Sequence, residues 1–179
     1  MSKLANHSIK YKPSVSVSIV GDYLEIKNIN TVSQLKLNGV RVFVDKENNS
    51  CAFNIDKKDK NVEKANLGTV VSLFKSKVAG FDKAHSLTLI TQGVGFKAMV
   101  LPGDMLLMWL GRSHLYCVKF PKEVVVVAKD NKIFLSGDKV AVTMLASIIK
   151  TNRPWDPCMK KGIIIEGEFL VQKEGKKKK

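Results

Sequence analysis

The chain has 179 residues, enough for one ordinary domain or two small ones, and 45% of them are hydrophobic. This apolar fraction excludes a wholly disordered chain and requires a buried core. Thirty Lys and Arg residues against 16 Asp and Glu leave a formal charge of +14, so the surface attracts polyanions, with nucleic acid the first candidate and an anionic membrane the second.

Membrane attachment and disulfides are both disfavoured by the pattern of apolar residues and cysteines. The longest wholly apolar run of the C-terminal half, Met105 to Leu110, is too short to cross a bilayer, and Met1 to Pro13 lacks the apolar stretch of a secretory signal. We therefore expect no membrane partner. Three cysteines, Cys51, Cys117 and Cys158, favour unpaired thiols in a reducing compartment, each expected to be a small buried hydrophobe.

The first third of the chain alternates apolar and polar residues, which predicts strands of an antiparallel sheet. The predicted strands are 15–20, 23–26, 33–37, 40–44 and 51–55. From about Asn61 the apolar period lengthens and predicts a helix that Gly80 ends. Its apolar stripe consists of Leu67, Val70, Val71, Phe74 and Val78.

The rest of the chain repeats this order of strands followed by a helix. The predicted strands are 86–90, 96–101, 105–110, 114–120, 124–127 and 132–136. Ser136 or Asp138 is expected to cap the following helix, and Pro154 makes its continuation unfavourable. The residues expected to face the sheet are Ala141, Leu145, Ile148 and Ile149. A last strand is predicted to place Ile163, Ile165, Phe169 and Val171 on one face.

The two halves of the chain resemble each other. Val40 to Asp56 aligns with Glu123 to Asp138 as strand, charged tight turn, strand and Asp before a helix, with one extra residue in the first copy. The fold class is therefore predicted to be α+β, with two tandem similar domains, each a mainly antiparallel sheet with one helix on one face. We expect an N-terminal domain over 1–81, a C-terminal domain over 82–175 and a basic tail over 176–179.

Two short motifs suggest enzymes, but their context does not. Gly93, Gly95 and Ala98 satisfy the GxGxxA pattern of dinucleotide sites, yet Pro102 and Gly103 follow where a helix is required, so a hairpin with close backbone approach is the better interpretation. Residues 147–150 spell SxxK without the two further motifs of penicillin-recognising enzymes.

Acidic, histidine and cysteine residues give no better catalytic or metal site. His114 and Cys117 are expected on opposite faces of one strand, and no His/Cys cluster has the spacing of zinc ligands. Glu166 and Glu168 are better explained as cross-strand partners of lysines than as a hydrolytic pair. We therefore expect neither catalytic activity nor a cofactor nor a metal.

The strongest functional signal is the basic loop Lys150 to Gly162. It places Arg153, Lys160 and Lys161 beside Trp155 on a proline-stiffened segment. Fixed cations suit phosphates, and an aromatic ring can stack on a splayed base, so the loop suits a folded RNA. The alternative for Trp155 is a ring tucked into the core.

The segment Arg153 to Lys179 resembles the C-terminal end of the bacterial-type large-subunit ribosomal protein six family, with its Arg-Pro turn, Lys-Gly-Ile strand entry and Lys-Glu-Gly-Lys tail. Gly80 to Ala98, Leu110 to His114 and Gly137 to Val142 resemble the same family in the same order. The resemblance implies a non-enzymatic structural constituent of the large ribosomal subunit. Its implied partners are 23S-type rRNA near the sarcin-ricin loop, neighbouring large-subunit proteins and nearby translational GTPases.

The resemblance and the basic loop together define the expected RNA-facing set. Its members are Lys97, Arg112, Ser113, His114, Arg153, Pro154, Trp155, Lys160, Lys161, Gly162, Lys173, Lys176, Lys177, Lys178 and Lys179. The chain departs from the family pattern at Cys158 to Gly162, where the family has Tyr-Lys-Gly-Lys-Gly, and at Lys27 to Val32, where it has a Gly-Pro-Lys-Gly-type turn.

The expected location is the ribosome of the bacterial cytoplasm, with an organelle ribosome left open. The alternative function is that of a free-standing RNA-binding regulator of translation, which would use the less basic first domain as a protein-binding surface. Retention on large subunits through a high-salt wash distinguishes the constituent from the regulator.

Overall fold

The computed structural model describes residues 8–28, 32–37, 39–45, 48–55 and 62–174. The chain divides into two compact units, Met1–Lys83 and Ala84–Lys179, which we call the N-terminal and C-terminal domains. Neither helix of the described ranges combines the length and the apolarity needed to span a membrane.

The N-terminal domain consists of two three-stranded antiparallel sheets and one helix. Its elements are β1 (Ile9–Lys10), β2 (Ser16–Val20), β3 (Tyr23–Lys27), β4 (Val32–Lys36), β5 (Val40–Asp45), β6 (Ser50–Ile55) and α1 (Val62–Asp82). One sheet has the order β1-β6-β5 and the other β2-β3-β4. Helix α1 contacts β4, β5 and β6, so it covers one side of the strands and closes the core.

The predicted apolar stripe of α1 is confirmed, but the predicted helix end is wrong. Four members of the stripe are buried, and Val78 packs at the edge of the core around Phe74. The helix continues past Gly80 to Asp82, and the amide of Lys83 still donates to Ala79 O at 3.1 Å. A glycine weakens a helix without ending it, and Phe81 packs against the core beyond it.

Gly68, in the interior of α1, provides a stability prediction. A Cβ atom added there would meet nothing within 4 Å. Gly68→Ala should therefore raise the free energy of unfolding by about 0.5–1 kcal/mol, because alanine loses less backbone entropy in a helix. Chemical denaturation measures the change, and Ala65→Gly on the same helix should lower stability by a similar amount. A Gly68→Ala variant no more stable than the wild type would contradict this account.

The C-terminal domain repeats the architecture with a larger second sheet. Its elements are β7 (His85–Gln92), β8 (Lys97–Leu101), β9 (Met105–Trp109), β10 (Tyr116–Lys119), β11 (Val124–Lys129), β12 (Lys132–Gly137), α2 (Lys139–Asn152) and β13 (Gly162–Ile165). The sheets have the orders β10-β9-β8 and β11-β12-β7-β13. In both domains an antiparallel hairpin, β5-β6 or β11-β12, precedes the helix, which confirms the predicted α+β fold with two tandem similar domains.

Helix α2 buries a slightly different face from the predicted one. Leu145 and Ile149 are buried as expected, and Val142 and Ala146 complete the stripe. Ile148 is 48% exposed, so its assignment to the sheet-facing side was wrong. Asp138 stands at the N-cap position, but its side chain makes no capping hydrogen bond.

Two further expectations are corrected in this domain. The segment between β7 and β8 is not a hairpin, because β7 pairs with β12 and β13 whereas β8 pairs with β9. The last strand ends at Ile165, where Glu168 N donates to Ile165 O at 3.0 Å and Gly167 has a φ of 86°. The chain therefore turns away from the sheet, which leaves Phe169 91% and Val171 58% exposed.

Candidate nucleic-acid interface

Three connecting segments of the C-terminal domain meet at one end of its sheets. Gly162, the first residue of β13, lies opposite Gln92, the last residue of β7. The connection 93–96 then leads to Lys97, which lies opposite Trp109 at the end of β9. Strand pairing thus places 93–96, 110–115 and 153–161 at the same end, which we call the cationic end.

The ring of Phe96 joins two of these segments. The ring atoms lie 2.8 Å from the position that a Cβ atom would take on Gly93, and 3.1 Å from that position on Gly111. Glycine at both places lets the two connections close over the buried ring. The close approach predicted for the glycines of 93–96 is thus found at Gly93, with a side chain and not with backbone, and not at Gly95, where a Cβ atom would meet nothing within 4 Å.

The cationic end contains every described member of the expected RNA-facing set. These residues are Lys97, Arg112, Ser113, His114, Arg153, Pro154, Trp155, Lys160, Lys161, Gly162 and Lys173. Lys173 joins because its amide donates to Pro157 O at 3.2 Å, so the segment after β13 returns to the loop. Lys176 to Lys179 lie outside the described residues.

The loop 153–161 is held by its own backbone and by one carboxylate. Asp156 N donates to Lys161 O at 2.9 Å, and Lys160 N donates to Asp156 O at 2.9 Å. The Oδ1 atom of Asp156 accepts from the amides of Cys158 and Met159 at 2.9 and 3.3 Å. Lys160 sits at a φ of 54° in this tight turn. The carboxylate of Asp156 is therefore hydrogen-bonded to loop amides, and among the described residues it forms no ion pair with Lys160 or Lys161.

The Trp155 side chain packs partly inside the domain and does not project fully into solvent. The residue is half-buried, and its indole nitrogen Nε1 is buried without a hydrogen-bond partner among the described residues. A Cβ atom on Gly162 would lie 2.6 Å from Trp155 Cα and 2.7 Å from Pro154 O. Only glycine permits this contact, so the start of β13 and the loop are packed backbone to backbone.

Two basic residues of the turn 110–115, Arg112 and His114, cluster around Tyr116 at the start of β10, which is absent from the expected set. Arg112 Nη1 donates to the hydroxyl of Tyr116, and its guanidinium carbon lies 5.6 Å from the centroid of that ring. The His114 and Tyr116 rings are 4.9 Å apart. Tyr116 thus positions both basic side chains. The strand here begins at Tyr116, so His114 lies before it and not within it as predicted.

Two acidic side chains of the segment after β13 are paired with lysines outside the expected RNA-facing set. Lys132 Nζ lies 2.9 Å from Glu166 Oε1, and Lys150 pairs with Glu168. The hydrogen bond from Lys132 lowers the pKa of Glu166, and the hydrogen bond from Lys150 lowers that of Glu168. The prediction that these glutamates are lysine partners is confirmed, although both lie after β13 and not on a strand.

The remaining cations of this end are available to a ligand. Within the part of the chain that the structure describes, Lys97, Lys160 and Lys161 form no ion pair. Lys97 and Lys160 are exposed, and Lys161 is half-buried. An anionic ligand would therefore not have to displace a carboxylate from them.

The Lys150–Glu168 pair gives a pH prediction. Because the folded pKa of Glu168 is lowered, its contribution to stability is complete above the unfolded pKa and is lost as the pH falls through the folded pKa. The pair is partly exposed, so Glu168→Gln should cost at most about 1 kcal/mol at pH 7, and less at pH 3. Denaturant titrations at both pH values measure this difference. Glu174→Gln on the exposed final segment is the control, and an equal cost of Glu168→Gln at both pH values would contradict the prediction.

Comparisons with known proteins find relatives over nearly the whole chain. No protein-family model matches the chain. It is 34% identical over 186 residues to large ribosomal subunit protein uL6 of Hydrogenobaculum sp. (strain Y04AAS1), covering 98% of this chain and 96% of the relative. It is 31% identical to uL6 of Campylobacter jejuni, with 100% and 99% covered, and 32% identical to uL6 of Legionella pneumophila, with 99% and 100% covered.

The chain belongs to the uL6 family. This confirms the resemblance seen in the sequence. The family is one of ribosomal proteins and is not known to be enzymatic, which agrees with the expectation that the chain performs no catalysis.

Neither of the two enzyme-like motifs lies in the structural context that its chemistry requires. Lys150 of the SxxK motif is paired with Glu168, and the segment after Ala98 is a strand and not the helix that a dinucleotide site requires. In the described ranges no three His, Cys, Asp or Glu side chains are grouped as a metal site would need.

The cysteines are only in part as predicted. Cys51 is buried, and desolvation raises the pKa of its thiol to about 11, so it stays neutral and unreactive at pH 7. Cys117 and Cys158 are exposed, so the prediction of burial is wrong for both. Cys117 lies on the outer side of β10, and Cys158 lies at the tip of the basic loop.

Proposed function

We propose that this uL6-family protein is a structural constituent of the large ribosomal subunit that binds 23S-type rRNA through the cationic end of its C-terminal domain. The observation that carries the proposal is the convergence of the loop 153–161, the turn 110–115 and the first residue of β8 at that end, with Lys97, Lys160 and Lys161 not engaged by carboxylates among the described residues. The names of its relatives supply the large-subunit assignment.

The physical basis is neutralisation of phosphate by cations held in place. Each phosphate contact releases condensed counterions, so affinity should fall steeply as salt increases. The backbone hydrogen bonds of the loop hold Lys160 and Lys161 before binding, which reduces the entropy lost when RNA docks. Arg112, held against Tyr116, adds another fixed cation at the same end.

We further propose the location on the subunit that the family resemblance implies. The cationic end would contact the rRNA near the sarcin-ricin loop, with translational GTPases docking nearby and other large-subunit proteins beside it. The hydrogen bond from Lys173 N to Pro157 O holds the segment after β13 against the loop. This contact supports a role in RNA binding for the final segment, whose last residues are Lys176 to Lys179. The bacterial relatives support a bacterial ribosome as the site of action.

Sedimentation tests the assignment to the subunit. The tagged protein should comigrate with large subunits and stay with them through a high-salt wash. Release into the soluble fraction would instead support a free-standing RNA-binding regulator.

A second experiment tests the location on the subunit. Crosslinks from Lys160 and Lys161 should map to rRNA at the sarcin-ricin region. Crosslinks confined to a distant rRNA domain would contradict the location and leave the subunit assignment intact.

A further inference from the structure

Trp109 lies on the outer face of the sheet β8-β9-β10, next to the cationic end. In β9 and just beyond it, Leu106, Met108 and Leu110 are fully buried. Trp109 alternates with these residues and is only half-buried, so its indole lies on the side of the strand away from the core. It is one of two tryptophans in the chain, and it was not in the expected RNA-facing set.

Lys97 is the direct cross-strand partner of Trp109. The two residues pair in register between β8 and β9. Directly opposite side chains on one face have Cβ atoms about 5 Å apart. Lys97 is exposed and has no ion pair in the part of the chain that the structure describes. An exposed lysine is thus the cross-strand neighbour of a half-buried tryptophan on the outer sheet face.

We propose that Trp109 and Lys97 form a binding site for one unpaired nucleotide of the rRNA, an inference that rests on the proposed function. The indole stacks on the base, and the ammonium binds the adjacent phosphate. Aromatic rings on open sheet faces bind bases in this way because every base has a π-face, whereas the cation supplies the backbone contact.

RNA fits this position better than a protein segment does. The same outer face carries Met99 and Met105, 43% and 39% exposed, and an apolar peptide would be expected to cover these first. Trp109 lies instead at the end of this face that is nearest the cationic end, whose positive charge attracts phosphates. A protein partner is therefore an outcome that the experiment must be able to detect.

Binding of in vitro transcribed 23S-type rRNA to Trp109 variants tests the site. Trp109→Leu should weaken binding about tenfold to a hundredfold because stacking is lost, with the salt dependence unchanged. Trp109→Phe should retain most of the affinity. Lys97→Gln should instead reduce the slope of log affinity against log salt by about 0.7–0.9, the contribution of one phosphate. Thermal unfolding of each variant separates loss of binding from loss of folding.

Fluorescence provides a readout that does not depend on variants at the site. Trp155→Phe leaves Trp109 as the only tryptophan, so its emission should be quenched when the rRNA transcript is added. If the wild type binds the transcript while Trp109→Leu binds equally well and Trp109 is not quenched, this inference is wrong and the proposed function survives. If the wild type does not bind rRNA or large subunits, the proposed function itself fails.

A third outcome identifies a different partner. If the Trp109→Leu variant binds the transcript normally but dissociates from large subunits in a high-salt wash, the indole contacts a neighbouring protein. That result would overturn the proposed nucleotide site.

Discussion

Replacing Arg153, Lys160 and Lys161 together with glutamine should weaken binding to 23S-type rRNA by about 10²- to 10³-fold at 0.1 M salt, if each cation contacts one phosphate. The slope of log affinity against log salt should become shallower by about 2–3. The reason is that the three charges sit on one hydrogen-bonded loop, where neither Lys160 nor Lys161 has a carboxylate partner in the described structure. Filter binding across a salt series measures both quantities.

The matched control removes three charges from the opposite end of the same domain. Lys119, Lys122 and Lys139 are exposed, and strand pairing places Lys119 opposite Met105, at the far end from Trp109. Lys119→Gln/Lys122→Gln/Lys139→Gln should leave the slope nearly unchanged, although the net charge falls equally. Equal losses in the two triple variants would mean that overall charge alone governs binding, and the cationic end would not be the interface.

Gly162→Ala should destabilise the C-terminal domain by about 2–4 kcal/mol and should reduce rRNA binding as well. The φ of Gly162 is 150°, and a Cβ atom would lie within 2.9 Å of three backbone atoms of Pro154 and Trp155, which cannot move without shifting the loop. The estimate combines backbone strain with overpacking. Chemical denaturation measures the stability change, and filter binding measures the effect on the loop.

Gly167→Ala measures backbone strain without a steric clash, so its comparison with Gly162→Ala isolates the steric part of this effect. Gly167 also has a positive φ, 86°, but a Cβ atom there would meet nothing within 4 Å. Its substitution should cost only the strain of the left-handed conformation, about 1 kcal/mol. A Gly162→Ala variant no less stable than Gly167→Ala would show that the loop yields easily and is not the rigid platform proposed for phosphate binding.

The predictions that failed concern segments whose structure is decided by contacts with residues distant in the chain. The alternation from Ile163 to Val171 is typical of a strand, but Glu168 folds back to Ile165 and pairs with Lys150 on α2, which ends the strand early. Ile148 has the apolarity of a buried helix residue, yet the stripe that meets the sheet runs through Leu145 and Ile149. Cys117 and Cys158 were expected to be buried from residue type alone, and their positions on an outer strand and a loop tip expose them.

Local periodicity was sufficient to predict the α+β class and the duplicated order of strands and helix, and the resemblance of short stretches to a known family predicted the family. Each of these properties is carried by residues close together in the chain. The same information located the basic loop. The joining of that loop to 93–96 and 110–115 required the pairing of Gly162 with Gln92 and of Lys97 with Trp109. Such pairings join residues far apart in the chain, and their register depends on how whole faces are buried in the core, which no single segment encodes.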